Sequence, residues 1–200
     1  MKNISHSLTL FLLTAVFPLL LHGQSIVNDQ GRLLVNGEPW FVMGFFADSY
    51  SSSSLSEKIA TVDSLSKNGF NTIKTCAAGE DWKILSHLDQ ARAAGMQLIY
   101  DGAQNNEWRD FHLNVMNTFK DHPALFGWYI YDDSHGAPPE TLKVYYDQAK
   151  SIDSLHVTTH SMALSCWNDY SMNHIRERIP HCDVLQMQSY PIGKERINEV

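Results

Sequence analysis

The sequence predicts an α/β fold, a (β/α)8 TIM barrel that is incomplete, with about six βα units, preceded by a short β-hairpin. Three observations lead there. Short apolar strand patterns alternate with longer amphipathic helical patterns, which is the signature of βαβ units around a parallel sheet. The strand patterns start at Phe41, Thr72, Gln97, Phe126, His156 and Asp183, so the intervals are 31, 25, 29, 30 and 27 residues, each enough for a strand, a helix and two loops. After the first strand stand Ala47-Asp48-Ser49-Tyr50 and a serine run, where a doubly wound nucleotide-binding sheet would carry a G-x-G-x-x-G turn.

The elements follow in order. Lys2 precedes an apolar run over residues 8–21, broken only by Thr9, Thr14 and Pro18. That run is shorter than the roughly 20 apolar residues of a membrane span, so residues 1–23 read as an export signal and the mature chain as one that starts near Gln24. Removing Lys2 with the signal takes the net charge from −7 to −8. Residues 24–40 form the hairpin, because apolar residues alternate around Asn28-Asp29-Gln30-Gly31 and Asn36-Gly37, and Asn-Gly between apolar pairs favours a tight turn. Residues 41–200 form the barrel domain, with strands expected over 41–46, 72–76, 97–101, 126–131, 156–162 and 183–189.

Between the strands, apolar residues recur at steps of three and four. The stripes are Leu55, Ile59, Val62, Leu65; then Trp82, Leu85, Leu88; then Trp108, Phe111, Val115, Phe119. Leu142, Tyr145, Ala149, Ile152 and, more weakly, Met172, Ile175, Ile179 continue the series. Pro138 and Pro139 suit the first turn of the fourth helix, where a missing N–H leaves nothing unpaired. Gly69 and Gly95 fall just after helices, where carboxyl-terminal caps belong.

Composition narrows the function. The 15 basic residues are scattered and outnumbered by 22 acidic ones, which argues against a nucleic-acid surface. Three cysteines, Cys76, Cys166 and Cys182, allow at most one internal disulfide and read as small buried thiols. None of the ten histidines has H-E-x-x-H spacing, and His156 and His160 share a strand, so no metal site is expected.

Four segments, taken in order at barrel spacing, carry a resemblance. They are GRLLVNGEPWFVMGFF, the Gly69-Phe70-Asn71-Thr72-Ile73-Lys74 stretch, KDHPALFGWYIYDDS and DVLQMQSYP. Over roughly residues 31–193 the chain resembles the retaining glycoside hydrolases built on (β/α)8 barrels, the clan that includes β-galactosidases, cellulases and mannanases. The resemblance implies an exported bacterial glycosidase, secreted or periplasmic, that hydrolyses O-glycosidic bonds in poly- or oligosaccharides and needs no cofactor. Carbohydrate is its implied partner; no nucleic acid is, and no membrane after signal cleavage.

In that clan the fourth strand ends in a glutamate that acts as general acid and base, preceded by Asn or Asp. Here Asp132 and Asp133 occupy the pair, and Asp133 at the glutamate position is one methylene shorter. Lys74 stands where the clan usually has an arginine that supports the nucleophile, and Tyr190 matches a tyrosine that often hydrogen-bonds it. The nucleophile itself belongs to a seventh strand. The resemblance therefore implies a fragment whose partners are missing C-terminal barrel units.

Adjacent strand residues point to opposite faces, so one of Asp132 and Asp133 should face the barrel mouth at the carboxyl ends of the strands, where barrel enzymes work. Asp133 is expected as the acid; the bland alternative is a loop aspartate that caps the next helix. Asp48, Asp101, His160 and Tyr190 are expected around the same mouth. His160 suits either a sugar hydroxyl contact or a buried polar strut. Trp167, within Ser165-Cys166-Trp167-Asn168-Asp169-Tyr170, is the better candidate for an aromatic sugar platform; Trp82 begins an apolar stripe, Trp128 reads as core and Trp108 as helix packing. The rival function is a barrel that binds carbohydrate without cleaving it, followed by an unrelated secreted barrel enzyme.

Overall fold

The structure of the chain, a computed structural model, describes residues 23–46, 54–76, 80–102, 109–163 and 169–188. Residues 1–22 of the signal expected over 1–23, together with Asp48, Trp108, Cys166, Trp167 and Tyr190, lie outside the described residues.

Two sheets form. The first is antiparallel, with strands β1 (Ser25–Val27), β2 (Leu33–Val35) and β3 (Glu38–Pro39) in that order. The second holds six parallel strands in sequence order: β4 (Gly44–Phe46), β5 (Thr72–Thr75), β6 (Gln97–Asp101), β7 (Leu125–Tyr131), β8 (Val157–Ala163) and β9 (Val184–Gln188). It curls through 241° as a half-barrel, the incomplete TIM architecture that the strand spacing predicts. Helices α1 (Leu55–Lys67), α2 (Asp81–Ala93), α3 (Arg109–Phe119), α4 (Pro139–Ile152) and α5 (Asp169–Arg178) fill the connections.

Local chemistry sets the boundaries. At the start of α1 a capping box closes, because Ser54 N–H donates to Glu57 Oε2 (2.7 Å) and Glu57 N–H donates back to Ser54 Oγ (3.3 Å). Gly69 and Gly95 follow α1 and α2 at φ values of 83° and 69°, where any residue with a Cβ is disfavoured. Between sheet and helices lies the larger core, with Val62, Ile73, Leu88, Leu98, Met116, Trp128 and Ile130 fully buried. On the other side of the sheet Ile99, Phe126, Tyr129 and Val157 pack together with Val35 of β2.

That last contact shows where the antiparallel sheet sits. Val157 N–H donates to Ser25 Oγ (3.0 Å), Ser25 Oγ donates to the Phe126 carbonyl, and Trp40 Nε1 donates to Thr72 Oγ1 (3.2 Å). Phe126, Val157 and Thr72 all lie at the amino-terminal ends of their strands. The small sheet thus packs at the amino-terminal mouth, opposite the carboxyl ends of the strands.

Three elements differ from expectation. Asn36 (φ 53°) and Gly37 (φ 84°) make the expected tight turn, but Glu38–Pro39 pairs with β2 as a third strand. The first barrel strand begins at Gly44, because residues 40–43 carry the chain from the small sheet to the large one, and Phe41 is 80% exposed. On α2 the buried residues are Ile84, His87, Leu88 and Ala91, while Trp82 (55%) and Leu85 (43%) are exposed. At about 100° per residue, Trp82 points almost directly away from Ile84. Among the described residues no helix is long and apolar enough to cross a membrane.

Candidate active site

The carboxyl ends of β4 to β8 bring one cluster of polar side chains together. Phe46 pairs with Lys74 in the β4–β5 register, and Asp101 pairs with Tyr129 in the β6–β7 register. Lys74 Nζ lies 2.6 Å from Asp101 Oδ1, and the two side chains are 7% and 9% exposed. The same ammonium stands 4.1 Å from the centroid of the Phe46 ring and 4.4 Å from that of Tyr129. A buried cation needs such partners: here one carboxylate and two aromatic faces replace water.

Asp132 anchors the second half of the cluster. Its Oδ1 accepts from the Tyr129 hydroxyl (2.6 Å) and from Ser161 Oγ (2.9 Å), and Ser161 Oγ in turn accepts from the Asp133 N–H (3.1 Å). Burial would raise the Asp132 pKa, but the hydrogen bonds from Tyr129 and Ser161, with the Lys74 charge, outweigh it and hold the carboxyl below its ordinary range. Tyr129 moves the other way. Burial first, then its bond to the Asp132 carboxylate, pushes the phenol well above its usual range, so it stays a neutral donor.

An irregularity in β7 decides which aspartate faces inward. The pairing with β8 shifts between Tyr129 and Tyr131, so that Tyr129 opposes Thr159 while Tyr131 opposes His160. Ile130 is buried in the helix-side core and Tyr131 stacks on Tyr145 of α4 at 5.8 Å, so two successive residues face outward. A bulge of this kind reverses the alternation beyond it. Asp132 therefore returns to the inner side and joins Tyr129. Asp133 stands in the left-handed region (φ 46°), exposed, with no hydrogen bond from its side chain to the turn that follows. The helix-capping role open to it in sequence is not made.

His160 is turned away from the mouth. It is fully buried and lies between inward-facing Thr159 and Ser161, so it faces the helices, where Nδ1 meets Ser134 Oγ at 2.8 Å. This is the strut arrangement. Asp101 and Lys74 do meet at the mouth, whereas Trp167, Tyr190 and Asp48 are outside the described residues. Phe46, Tyr129, Ser161 and Thr159 are site residues the sequence reading passed over. The signal was present in Thr159 and Ser161, two hydroxyls at alternate positions of a strand with an otherwise buried pattern.

Below the cluster the inner face of the sheet bounds a cavity of about 310 Å³, with Phe46, Thr72, Lys74, Ile99, Thr159 and Gln186 on its walls. Thr159 Oγ1 is buried there without a hydrogen-bond partner among the described residues. Cys76 and Cys182 form no disulfide with one another and are half-buried, and burial pushes each thiol up to about 12, with Asp101 adding to the effect at Cys76 and Asp183 at Cys182. Among the described residues no group of three or more His, Cys, Asp or Glu side chains gathers as a metal site would require.

No family model and no curated protein matches the chain. Solved structures do. An endo-1,4-β-mannanase from Eisenia fetida superposes with a TM-score of 0.59 at 12% identity, over 82% of this chain and 72% of its own. A family 2 β-galacturonidase from Eisenbergiella tayi, bound to galacturonate, gives 0.61 at 16% identity, over 86% of this chain and 33% of its own. A family 5 glycoside hydrolase from Bacteroides vulgatus gives 0.57 at 16% identity, over 72% and 41%. The chain spans only 24% of another neighbour, a family 2 member from Bacteroides cellulosilyticus. At these identities the likeness is one of fold: the curled parallel half-barrel superposes on part of the barrels of these glycoside hydrolases.

Proposed function

We propose that the chain is part of a secreted glycoside hydrolase that cleaves O-glycosidic bonds in poly- or oligosaccharides. One observation carries this: two exposed carboxyls, Asp132, which is held ionised by its hydroxyl donors, and Asp133, stand side by side at the carboxyl-terminal mouth near a buried Lys74–Asp101 pair. Glycoside cleavage needs a proton for the departing oxygen and negative charge near the anomeric carbon, where an oxocarbenium-like transition state develops. Asp133 supplies the proton. Asp132, its carboxylate steadied by the Tyr129 and Ser161 hydroxyls, supplies negative charge for a sugar hydroxyl or the developing positive charge. Lys74 and Asp101 fix the floor of the mouth. Trp167 and Tyr190 belong to the same reading as a sugar platform and a partner of the nucleophile, which further barrel units supply.

The test is Asp133→Asn in the full-length protein. Turnover of glycosides with poor leaving groups should fall by at least about a hundredfold and that of activated aryl glycosides by much less, because an acid matters most when the departing oxygen needs its proton. Equal losses on both would remove the acid role from Asp133. A second reading, carbohydrate binding without cleavage, is favoured by the short side chain of Asp133, since a misplacement of about 1 Å can cost on the order of a hundredfold in rate. It requires wild-type protein that binds oligosaccharides and turns over none.

A further inference from the structure

Two buried polar residues that the proposed chemistry leaves unused meet directly behind the turn that carries it. Arg178, the last residue of α5, is 4% exposed. Helical side chains lean towards the helix amino terminus, so its guanidinium runs back towards the carboxyl-terminal face of the sheet. There Nε donates to the Ser134 carbonyl (3.0 Å) and Nη2 to the Ala137 carbonyl (2.6 Å), the two ends of the short 3-10 turn after Asp133. Nη1 donates to the His174 carbonyl (3.2 Å) and to the Glu177 carboxylate (3.3 Å).

His160 grips the same turn by its side chain. Ser134, fully buried, places Oγ 2.8 Å from His160 Nδ1, and His160 Nε2 faces the Arg178 carbonyl at 3.4 Å. A carbonyl only accepts, so Nε2 carries the proton and Nδ1 accepts from the Ser134 hydroxyl. Arg178 thus fixes the main chain of the turn, and His160 fixes its first side chain. The planar guanidinium fork sets the spacing between two carbonyl oxygens in a way a lysine cannot. Asp133 needs that support, because a left-handed non-glycine residue persists only where its surroundings hold it.

We propose that Arg178 and His160 are positioning residues, which hold the turn over 133–137 so that Asp132 and Asp133 keep their places at the mouth. This rests on the glycosidase reading for its purpose but not for its test. In the full-length protein, Arg178→Lys keeps the charge and loses the fork, Ser134→Ala removes the hydroxyl that meets His160, and Ser134→Thr restores one. In the first two, amide exchange at Asp133 and Ala137 should quicken by about tenfold or more while Tyr100 in β6 keeps its wild-type rate, since only a local opening is released. Turnover of poor-leaving-group glycosides should drop by about tenfold with KM within about twofold, as loss of orientation rather than of binding predicts, and Ser134→Thr should recover both. Wild-type exchange at the turn in a folded Arg178→Lys or Ser134→Ala protein, or quickening that is equal in β6, overturns the proposal. If Arg178→Lys does not fold, the Ser134 pair decides it alone. If wild-type protein cleaves no glycoside, the glycosidase reading fails and the exchange rates still decide the positioning role.

Discussion

Asp132 and Asp133 are neighbours in sequence, yet the fold gives them different electrostatic surroundings. Sequence alone places a carboxylate pair at a strand end, because the residue types and the strand pattern are both visible there. It does not show which one turns inward, since strict alternation is broken by the shift between Tyr129 and Tyr131, which depends on pairing with β8 thirty residues later. Lys74 and Asp101 were legible for the opposite reason: both lie on regular strands and keep their parity. The state of Asp132 is open to a direct check. Its folded pKa lies below the unfolded value, so it adds stability above the ordinary carboxylate range, and that contribution is lost as pH falls through the folded pKa. Ser161→Ala removes one of the hydroxyl donors to the carboxylate. Carboxyl carbon NMR titration should then show the Asp132 pKa displaced upward, towards its ordinary value, and the acid-side loss of stability should shrink. An unchanged midpoint would show that the Tyr129 hydroxyl and the Lys74 charge suffice without Ser161.

At the level of elements, periodicity located the helices but did not always identify the buried face. On α2 both possible stripes contain apolar residues, and the one chosen from Trp82, Leu85 and Leu88 crosses from the solvent side to the sheet side. The sheet selects Ile84, His87, Leu88 and Ala91, and it buries a histidine in preference to a tryptophan because His87 Nδ1 finds the Tyr100 hydroxyl at 2.8 Å. Burial holds the His87 pKa down at about 3, with the nearby Lys58 charge acting in the same sense, so the ring is neutral in the core. Exposure and burial within one helix make a clean comparison. Trp82→Ala should alter stability by no more than about 0.5 kcal/mol, as surface substitutions do. Leu88→Ala should cost about 2 to 5 kcal/mol through the cavity it leaves. Urea unfolding of both variants measures the difference; a large loss at Trp82 would mean that its indole N–H bond to Glu80 (2.7 Å) stabilises the start of α2.

Across the whole molecule, the described sheet has two edge strands, β4 and β9, and the curl of 241° leaves them unpaired with each other. A barrel removes its edges by closure, whereas an open parallel sheet presents rows of unpaired N–H and C=O groups that other chains can match. The chemistry of β4 sharpens the consequence. Phe45 and Phe46 are 52% and 51% exposed, Met43 is 46% exposed and Phe41 80%, so the edge offers apolar surface as well as backbone. Natural edges are usually blunted by charge, proline or a covering element, and the described part of β4 shows none of these. The 200-residue chain expressed by itself should therefore self-associate, and a version extended by two βα units from a related barrel should not. Sedimentation velocity at several concentrations separates the two outcomes. The same closure would fill the cavity below Lys74 with side chains from the added strands, because barrel interiors are packed layers rather than pores. A short form that stays monomeric would mean that residues outside the described set already cover β4, and its affinity for oligosaccharides would then report on the mouth as this chain alone builds it.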